Sequence, residues 1–368
     1  MIMKPFKAVF PGKYIQAEGA VARLPELIKL LGNKGLILAS PTVIKNILPQ
    51  YTTFSEWKES LIISEFSGEC SEKEVERVCA VIRSEKLDVI IGMGGGKTID
   101  TAKIAADKTG IPVIVAPTIA STDAPCSGCA VVYSQNGVFD YVYYQKLNPQ
   151  VVLVDTKIIS AAPSRFLVSG MGDALATWFE ARSCERTNSE NACGGYSTLT
   201  GLSIAKLCYE TLLKYGMSAK TANDNHIITP AFNHVVEANI LLSGIGFESS
   251  GLGAAHAIHN GLTALEQTHG LYHGEKVAFG LLASLHLTDN DPFETETVYQ
   301  FCENIGLPTT FREINMNDVC YDDLMKVAIA TCRPEESIHH EACDIQPERV
   351  VAAMIAADAT GLLRKKQY

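Results

Sequence analysis

The stretch Asp88-Val-Ile-Ile-Gly-Met-Gly-Gly-Gly-Lys-Thr98 decides the fold, because an apolar strand in it runs directly into three consecutive glycines and then into a helix. Glycines allow backbone N–H groups to approach a pyrophosphate closely, and a helix N-terminus adds positive potential there. The stretch is not a Walker A loop, since Ile91 stands at the position of its first glycine. Lys97 replaces the third glycine of a strict G-x-G-x-x-G motif. A plain tight turn is the alternative reading, but three glycines followed by Lys97 and Thr98 favour a phosphate-binding turn.

Short apolar runs and helical segments alternate on both sides of this turn. The runs predicted as strands are Gly35–Ala39, Leu61–Ile63, Asp88–Gly92, Val113–Ala116 and Val151–Asp155. The segments predicted as helices are Val21–Leu31, Glu72–Glu85 and Ile99–Lys108. Such alternation is typical of an α/β domain with a mainly parallel sheet, which binds nucleotides at the carboxyl ends of its strands.

The pattern changes after Pro163, where apolar residues recur at spacings of three and four, as in Leu202–Leu213 and Ala231–Leu242. This spacing is that of amphipathic helices. We therefore predict an α/β domain over residues 1–162 and an all-helical domain over residues 163–368.

Composition excludes several classes of protein. The chain has 368 residues, 47% of them hydrophobic, and a net charge of -10 without a basic run, so nucleic acid and anionic membranes are not expected partners. No apolar stretch approaches the roughly 18 residues of a membrane span, and no secretory signal is evident, so we expect a cytoplasmic protein. The eleven cysteines show no disulfide framework. Only Cys126 and Cys129 have redox spacing, and the loop around them is not thioredoxin-like.

Three residues in the second half form a candidate metal site: Asp173, His256 and His273. One carboxylate and two imidazoles suit a catalytic zinc or ferrous ion that keeps positions open for substrate. A single helical histidine is more often structural, but these two lie in segments of small residues that leave room for an ion. His259 and His269 lie close to them in sequence, and either is a candidate for the partner that fixes a ligand's tautomer.

The loop that follows the strand at Val113 is rich in hydroxyl groups around one carboxylate, Asp123. It reads Pro117-Thr-Ile-Ala-Ser-Thr-Asp-Ala-Pro125. Such a loop can bind a ribose, a nicotinamide amide or a polyol. An Asp among Ser and Thr is also a common turn or capping residue, and both readings of Asp123 stay open at this point.

Several longer motifs resemble one family over essentially the whole chain. They are Pro11-Gly-Lys-Tyr-Ile-Gln16, Gly68-Glu-Cys-Ser71, Gly94-Gly-Gly-Lys-Thr98, the 117–125 loop, Gly172-Asp-Ala-Leu-Ala-Thr-Trp-Phe-Glu-Ala181, Gly246-Phe-Glu-Ser249 and Tyr272-His-Gly-Glu-Lys-Val-Ala-Phe-Gly280. By these motifs the chain resembles the glycerol dehydrogenases within the iron-containing, or group III, alcohol dehydrogenases. Their architecture, shared with dehydroquinate synthase, is a Rossmann-like domain followed by a helical domain.

The resemblance implies oxidation of glycerol, or a related 1,2-diol, to dihydroxyacetone by hydride transfer from a zinc-bound alkoxide to NAD. It implies one zinc per subunit, held by Asp173, His256 and His273, and an Asp123 that contacts a glycerol hydroxyl. The implied cofactor-binding residues are Gly94, Gly95, Gly96, Lys97, Thr98, Thr118, Ser121, Ser127, Cys129, Tyr133 and, at the adenosine ribose, Ser40. Members of the family are commonly homo-oligomers, often octamers.

Two positions depart from the family pattern. Iron-dependent relatives carry a histidine four residues after the metal-binding Asp, where this chain has Thr177, and three ligands favour zinc over iron. An acidic residue usually follows the second strand, where this chain has Ser40, so we expect NAD with weakened discrimination against NADP. The alternative is a same-fold enzyme for a phosphorylated polyol, such as a glycerol-1-phosphate dehydrogenase, or for another small hydroxy compound. The absence of Lys and Arg from the 117–125 loop favours a neutral polyol.

Overall fold

The computed structural model describes residues 4–51, 61–134 and 139–366. These residues divide into two compact units. The sheet unit runs from Val9 to Pro163 and includes Asn225–Ile228, and the helical unit contains the segment up to Ala8, Ser164–Asp224 and the chain from Thr229 onward.

The sheet unit is built on a six-stranded, entirely parallel sheet. In chain order the strands are β1 (Tyr14–Ala17), β2 (Gly35–Ala39), β3 (Leu61–Glu65), β4 (Val89–Gly94), β5 (Val113–Pro117), β6 (Cys129–Tyr133), β7 (Phe139–Tyr144) and β8 (Val151–Asp155). The sheet order is β1-β8-β5-β4-β2-β3, while β6 and β7 pair separately as an antiparallel hairpin. Every residue of β2, β4, β5 and β8 is buried, as expected of parallel strands covered on both faces.

The described residues of this unit form four α-helices: α1 (Leu24–Leu31), α2 (Glu72–Ser84), α3 (Gly96–Thr109) and α4 (Thr156–Ala161). The predicted α/β architecture is therefore confirmed, with three differences in detail. The predicted helix at Val21 begins as a 3-10 turn, Ala20–Arg23, because Pro25 favours the first turn of α1. The helix after the glycines begins at Gly96 instead of Ile99. Strand β1 and the β6–β7 hairpin were not predicted, although β6, Cys-Ala-Val-Val-Tyr, is itself a short apolar run.

The helical unit contains the remaining helices and, within its described residues, no strand beyond an isolated bridge between Phe6 and Tyr196. They are α5 (Ser164–Thr187), α6 (Leu199–Asp224), α7 (Pro230–Glu237), α8 (Ser243–Ser250), α9 (Ala254–Leu262), α10 (His273–Leu287), α11 (Pro292–Ile305), α12 (Tyr321–Thr331) and α13 (Pro347–Lys365). The predicted helix over 231–242 is interrupted, since Ala238–Leu242 forms a π-helical turn between α7 and α8. None of the helices in the described parts of the chain has the length and apolarity of a membrane span.

Candidate functional site

A close crossing of α5 and α10 places Asp173 beside His273. A Cβ atom on Gly274 would lie 1.8 Å from the carbonyl oxygen of Ser169, and one on Gly172 would lie 2.4 Å from the carbonyl oxygen of Gly274. Only glycine allows backbones to approach so closely. At this crossing His273 Nε2 lies 3.1 Å from Asp173 Oδ1.

Helix α9 supplies the third member of the cluster. His256 Nε2 lies 3.2 Å from the same Oδ1 of Asp173. On its other side, His256 Nδ1 donates to Glu180 Oε2 at 2.6 Å. Glu180 Oε1 accepts from the backbone N–H groups of Gly253 and His256, each at 2.9 Å. Glu180 therefore caps the N-terminus of α9 and orients the imidazole at the same time.

The three predicted metal ligands thus come together in the helical unit. One ligand atom from each of Asp173, His256 and His273 lies within 4.8 Å of the others, and this is the one such group among the residues that the structure describes. The side chains of Asp173, His256 and His273 are 0%, 11% and 35% exposed. A carboxylate with two imidazoles, open to solvent on the side of His273, has the donor chemistry of a divalent metal site with free coordination positions.

A chain of hydrogen bonds lies behind His273. His273 Nδ1 is 3.0 Å from His259 Nε2, and His259 Nδ1 is 3.0 Å from Asn260 Oδ1. Asn260 Nδ2 donates to Glu336 Oε2 at 2.9 Å. Of the two histidines considered as partners of a ligand, His259 has that position, whereas His269 Nε2 bonds to the carbonyl oxygen of Thr263.

The predicted cofactor residues of the glycine turn lie at the carboxyl edge of the parallel sheet. Gly94 ends β4, Gly95 precedes α3, and Gly96, Lys97 and Thr98 form the first turn of α3. No side chain caps this helix, and space around the Cα of Gly96 is open. Thr118 follows β5, and its N–H donates to the carbonyl oxygen of Gly94 at 3.0 Å. An uncapped helix N-terminus next to open space is suited to a phosphate group.

Ser40 also reaches this edge, because it follows β2, the neighbour of β4. Its Oγ accepts from the N–H of Val43 at 3.4 Å, and its carbonyl oxygen accepts from Ile44 at 3.1 Å. The serine therefore caps a helical turn locally. A hydroxyl in that position offers no charge to a ribose or a 2′-phosphate.

The remaining predicted residues of the sheet unit lie between positions 117 and 133, and Lys97 contacts one of them, Tyr133. Lys97 Nζ lies 4.8 Å from the ring centroid of Tyr133 and 2.6 Å from Glu69 Oε2. Ser127 Oγ lies 3.4 Å from Cys129 Sγ. Asp123 and Ser127 are buried, while Ser121 and Cys129 are partly exposed. All eleven cysteines, Cys126 and Cys129 included, are free thiols.

Comparison with known proteins gives one consistent answer. Residues 11–156 match the family model of the iron-containing alcohol dehydrogenases. The glycerol dehydrogenase of Thermotoga maritima is 50% identical over 97% of this chain and 98% of its own, and that of an Escherichia coli O6:H1 strain is 45% identical over 95% and 96%. The crystal structure of Schizosaccharomyces pombe glycerol dehydrogenase superposes with a TM-score of 0.94 at 37% identity, covering 100% of this chain and 94% of that one.

The chain belongs to the iron-containing alcohol dehydrogenase family. It is therefore an oxidoreductase, and the architecture predicted from its motifs is that of this family. Dehydrogenases of the family use NAD and bind a metal ion.

The pKa shifts differ between the two sides of the cluster, that of His256 with Glu180 and that of His273 with His259. Burial opposes a charge on His256, but the carboxylates of Glu180 and Asp173 raise its pKa well above the usual value. Burial would also raise the pKa of Asp173, yet the imidazoles of His273 and His256 hold it well below its usual range. Burial, with His273 and Lys276 nearby, lowers the pKa of His259 well below its usual value. Asp173 is thus an anion at neutral pH and His259 a neutral imidazole.

Sequence reasoning missed three residues that organise these sites. Glu180 lies seven residues after Asp173, two helical turns along the same face of α5, and that spacing was the available signal. Glu341 accepts from the N–H of Ala254 at 2.9 Å and from Ser183 Oγ at 2.6 Å, so it is a second carboxylate at the N-terminus of α9. In the sheet unit Lys103 is fully buried, and its ammonium donates to the carbonyl oxygens of Ala124 and Cys129.

The other side chains near the cluster have structural partners. Thr177, at the position where iron-dependent relatives carry a histidine, shares a hydrogen bond of 2.9 Å with Ser243. Five further histidines contact groups away from the cluster: His226 with Ser160, His234 with Tyr215, His286 with Tyr299, His339 with Arg333 and His340 with Leu252. The candidate metal-ligand set therefore stays at three residues.

Proposed function

We propose that this chain oxidises glycerol, and related 1,2-diols, to the corresponding hydroxyketone with NAD as the hydride acceptor. Glycerol and NAD would give dihydroxyacetone, NADH and a proton. Names of relatives at 50% and 45% identity support the substrate class. The observation that carries the proposal is the convergence of Asp173, His256 and His273 on one point, with Glu180 behind His256.

We propose zinc as the ion at this cluster. Two imidazoles and one carboxylate leave at least one coordination position free, which is the usual composition of a catalytic zinc site. When bound, zinc would supply a Lewis acid that lowers the pKa of an alcohol hydroxyl. Asp173 contributes the negative charge that attracts the cation, and Glu180 keeps His256 turned so that Nε2 faces Asp173. Thr177 does not add a fourth ligand, which separates this site from those of the iron-dependent relatives.

The NAD site is proposed at the glycine turn of the sheet unit. The first amides of α3, at Gly96 and Lys97, would bind the pyrophosphate, as the open helix N-terminus supports. Thr118 and Ser121 would line the dinucleotide, and Ser127, Cys129 and Tyr133 would surround the nicotinamide. Lys103 would hold the segment that carries Ser127 and Cys129 in place, because its ammonium bonds to backbone carbonyl oxygens at residues 124 and 129. At Ser40 the ribose would meet a hydroxyl, so NAD would be preferred to NADP only weakly.

A spectrophotometric assay separates this proposal from its alternative. Purified protein would be stripped with a chelator, reconstituted with zinc, and mixed with NAD and either glycerol, 1,2-propanediol or glycerol-1-phosphate. We expect zinc-dependent NADH formation with the two neutral diols. Turnover of glycerol-1-phosphate alone would assign the chain to the phosphorylated-polyol enzymes, and a rate unaffected by chelation would contradict the metal site.

Asp123 is the residue proposed to bind a substrate hydroxyl, and its replacement gives the first prediction. In Asp123→Asn the buried carboxylate loses its charge but keeps its shape, so diol turnover should fall by about 100-fold or more, the scale of a lost positioning group. NADH binding, followed by fluorescence, should survive. Asp140→Asn, which changes an exposed aspartate, is the matched control. Equal loss of turnover and NADH binding would show that Asp123 is structural.

A further inference from the structure

The short segment around Glu336 reaches the candidate metal site without touching it. Glu336 precedes the 3-10 turn Ser337–His340 and accepts a hydrogen bond from Asn260 Nδ2 at 2.9 Å. Asn260 and His259 are neighbours on α9, and His259 connects them to His273. Three hydrogen bonds in series therefore join a carboxylate on one segment to an imidazole on another.

The chemistry of the end group fixes the direction of every bond in this series. A carboxylate only accepts, so Asn260 must turn its NH2 group to Glu336 and its carbonyl oxygen to His259. That oxygen also only accepts, so His259 carries its proton on Nδ1. A neutral imidazole has one N–H group, which leaves His259 Nε2 as an acceptor. His273 must then donate from Nδ1, and its Nε2, beside Asp173, is the nitrogen left to bind a metal.

We propose that Glu336 is a positioning residue that sets the tautomers of His259 and His273 through the side chain of Asn260. The inference rests on the proposed function in one respect, since the metal-binding role of His273 is part of that proposal. The hydrogen-bond directions themselves depend only on the residues of the series.

Glu336 is needed because the side-chain amide of Asn260 could otherwise take two orientations. The two ends of an Asn side chain have nearly the same shape, and His259 alone would accept either one by changing its own tautomer. A charged acceptor at the far end removes this freedom, because turning the amide would bring its carbonyl oxygen against the carboxylate. Glu180 acts differently, since it bonds to His256 directly.

The test reverses the polarity of the end group in the full-length protein. In Glu336→Lys an ammonium would draw the carbonyl oxygen of Asn260, turn the NH2 group to His259, and move the His259 proton to Nε2. Glu336→Gln removes the charge and can present either end of its own amide, so Asn260 is no longer held in one orientation and His259 should become a mixture of tautomers. Glu335→Lys makes the same charge change on the exposed neighbouring residue and is the matched control. Asn260→Ala removes the series without adding charge.

Two readouts decide the outcome. Nitrogen-15 NMR of the histidines, with and without zinc, should show His259 protonated at Nδ1 in the parent and E335K, at Nε2 in E336K, and as a mixture in E336Q and N260A. Zinc affinity, from competition with a chelator, should fall about tenfold in E336K, the lower end of the range for residues behind a ligand. An unchanged His259 tautomer in E336K and N260A, or an equal zinc loss in E335K, would overturn the proposal. Failure of the parent to bind zinc would contradict the proposed function, and the tautomer of His259 would still decide this inference.

Discussion

The two imidazoles of the cluster are held by partners of different kinds. His256, 11% exposed, donates to the carboxylate of Glu180, whereas His273, 35% exposed, bonds to the neutral imidazole of His259. A carboxylate partner makes a metal-binding imidazole more basic, and a neutral partner fixes mainly its orientation and tautomer. We therefore expect the buried side to determine how strongly a cation is held. The side of His273 is the one that solvent and a small molecule can reach.

This difference has an electrostatic reason. Asp173 and Glu180 place two carboxylates in a region without solvent, and such charges are stable only when compensated. Without a metal, the raised pKa of His256 keeps a proton on its imidazole. The positive charge of that imidazole compensates the two carboxylates in part. A divalent cation would compensate both charges. Asp173 contacts both imidazoles, but among the described residues no second carboxylate lies within hydrogen-bonding distance of His273, because its other partner is His259 and Glu336 is two groups further away.

The largest expected effect is the loss of a ligand on either side. His256→Ala and His273→Ala should each lower zinc affinity by roughly two orders of magnitude, because about 10–16 kcal/mol in a four-ligand zinc site corresponds to about 3 kcal/mol per ligand. Zinc content after dialysis and chelator competition would measure it. His339→Ala, at an exposed histidine away from the cluster, is the control. A variant that keeps full zinc content would remove its residue from the ligand set.

A smaller and unequal effect is expected from the residues behind the ligands. Glu180→Gln keeps an acceptor for His256 but loses the charge, so zinc affinity should fall by about 10–100-fold. His259→Leu removes the acceptor for His273, where water can replace it, and should cost about threefold or less. Chelator competition on both variants compares the two sides directly. Equal losses would show that the charge of the partner does not matter. The distinction between the two sides of the cluster would then fail.

The sequence predicted the fold, and it named three residues that the structure brings together, because both inferences depend on local patterns. Buried strands of a parallel sheet read as apolar runs, and β2 and β8 were found at their predicted bounds. Asp173 and His273 lie in motifs shared with a family, and His256 lies in a segment of small residues. The hairpin β6–β7 was missed, because its register depends on contacts with Cys70 and α3 that no local pattern encodes.

The residues that support the ligands are harder to predict, since their roles follow from tertiary packing. His259 has helical spacing from His256, yet its ring faces His273, 4.2 Å away between centroids. Glu336 and Glu341 reach α9 from a segment about 80 positions later in the chain, and nothing in their neighbouring residues indicates a site. The role of the buried Lys103 is equally hard to predict from sequence. Two of its three acceptors are backbone carbonyl oxygens, which any residue type supplies.

The smallest expected effect concerns Glu341, the second carboxylate on the buried side. Burial, with the nearby charge of Glu180, raises its pKa above the usual value, although bonds from Ser183 and Ala254 oppose this. The folded protein thus holds a proton that the unfolded chain releases at about pH 4.3, so stability should decrease as pH rises from there through the folded-state pKa. Glu341→Gln removes this dependence but keeps an acceptor for Ala254. Compared with the parent, its melting temperature should therefore improve between pH 5 and pH 8, while exposed Glu335→Gln should show no such trend. A pH-independent difference would mean that Glu341 is ionised throughout, and the buried side would then hold three carboxylate charges instead of two.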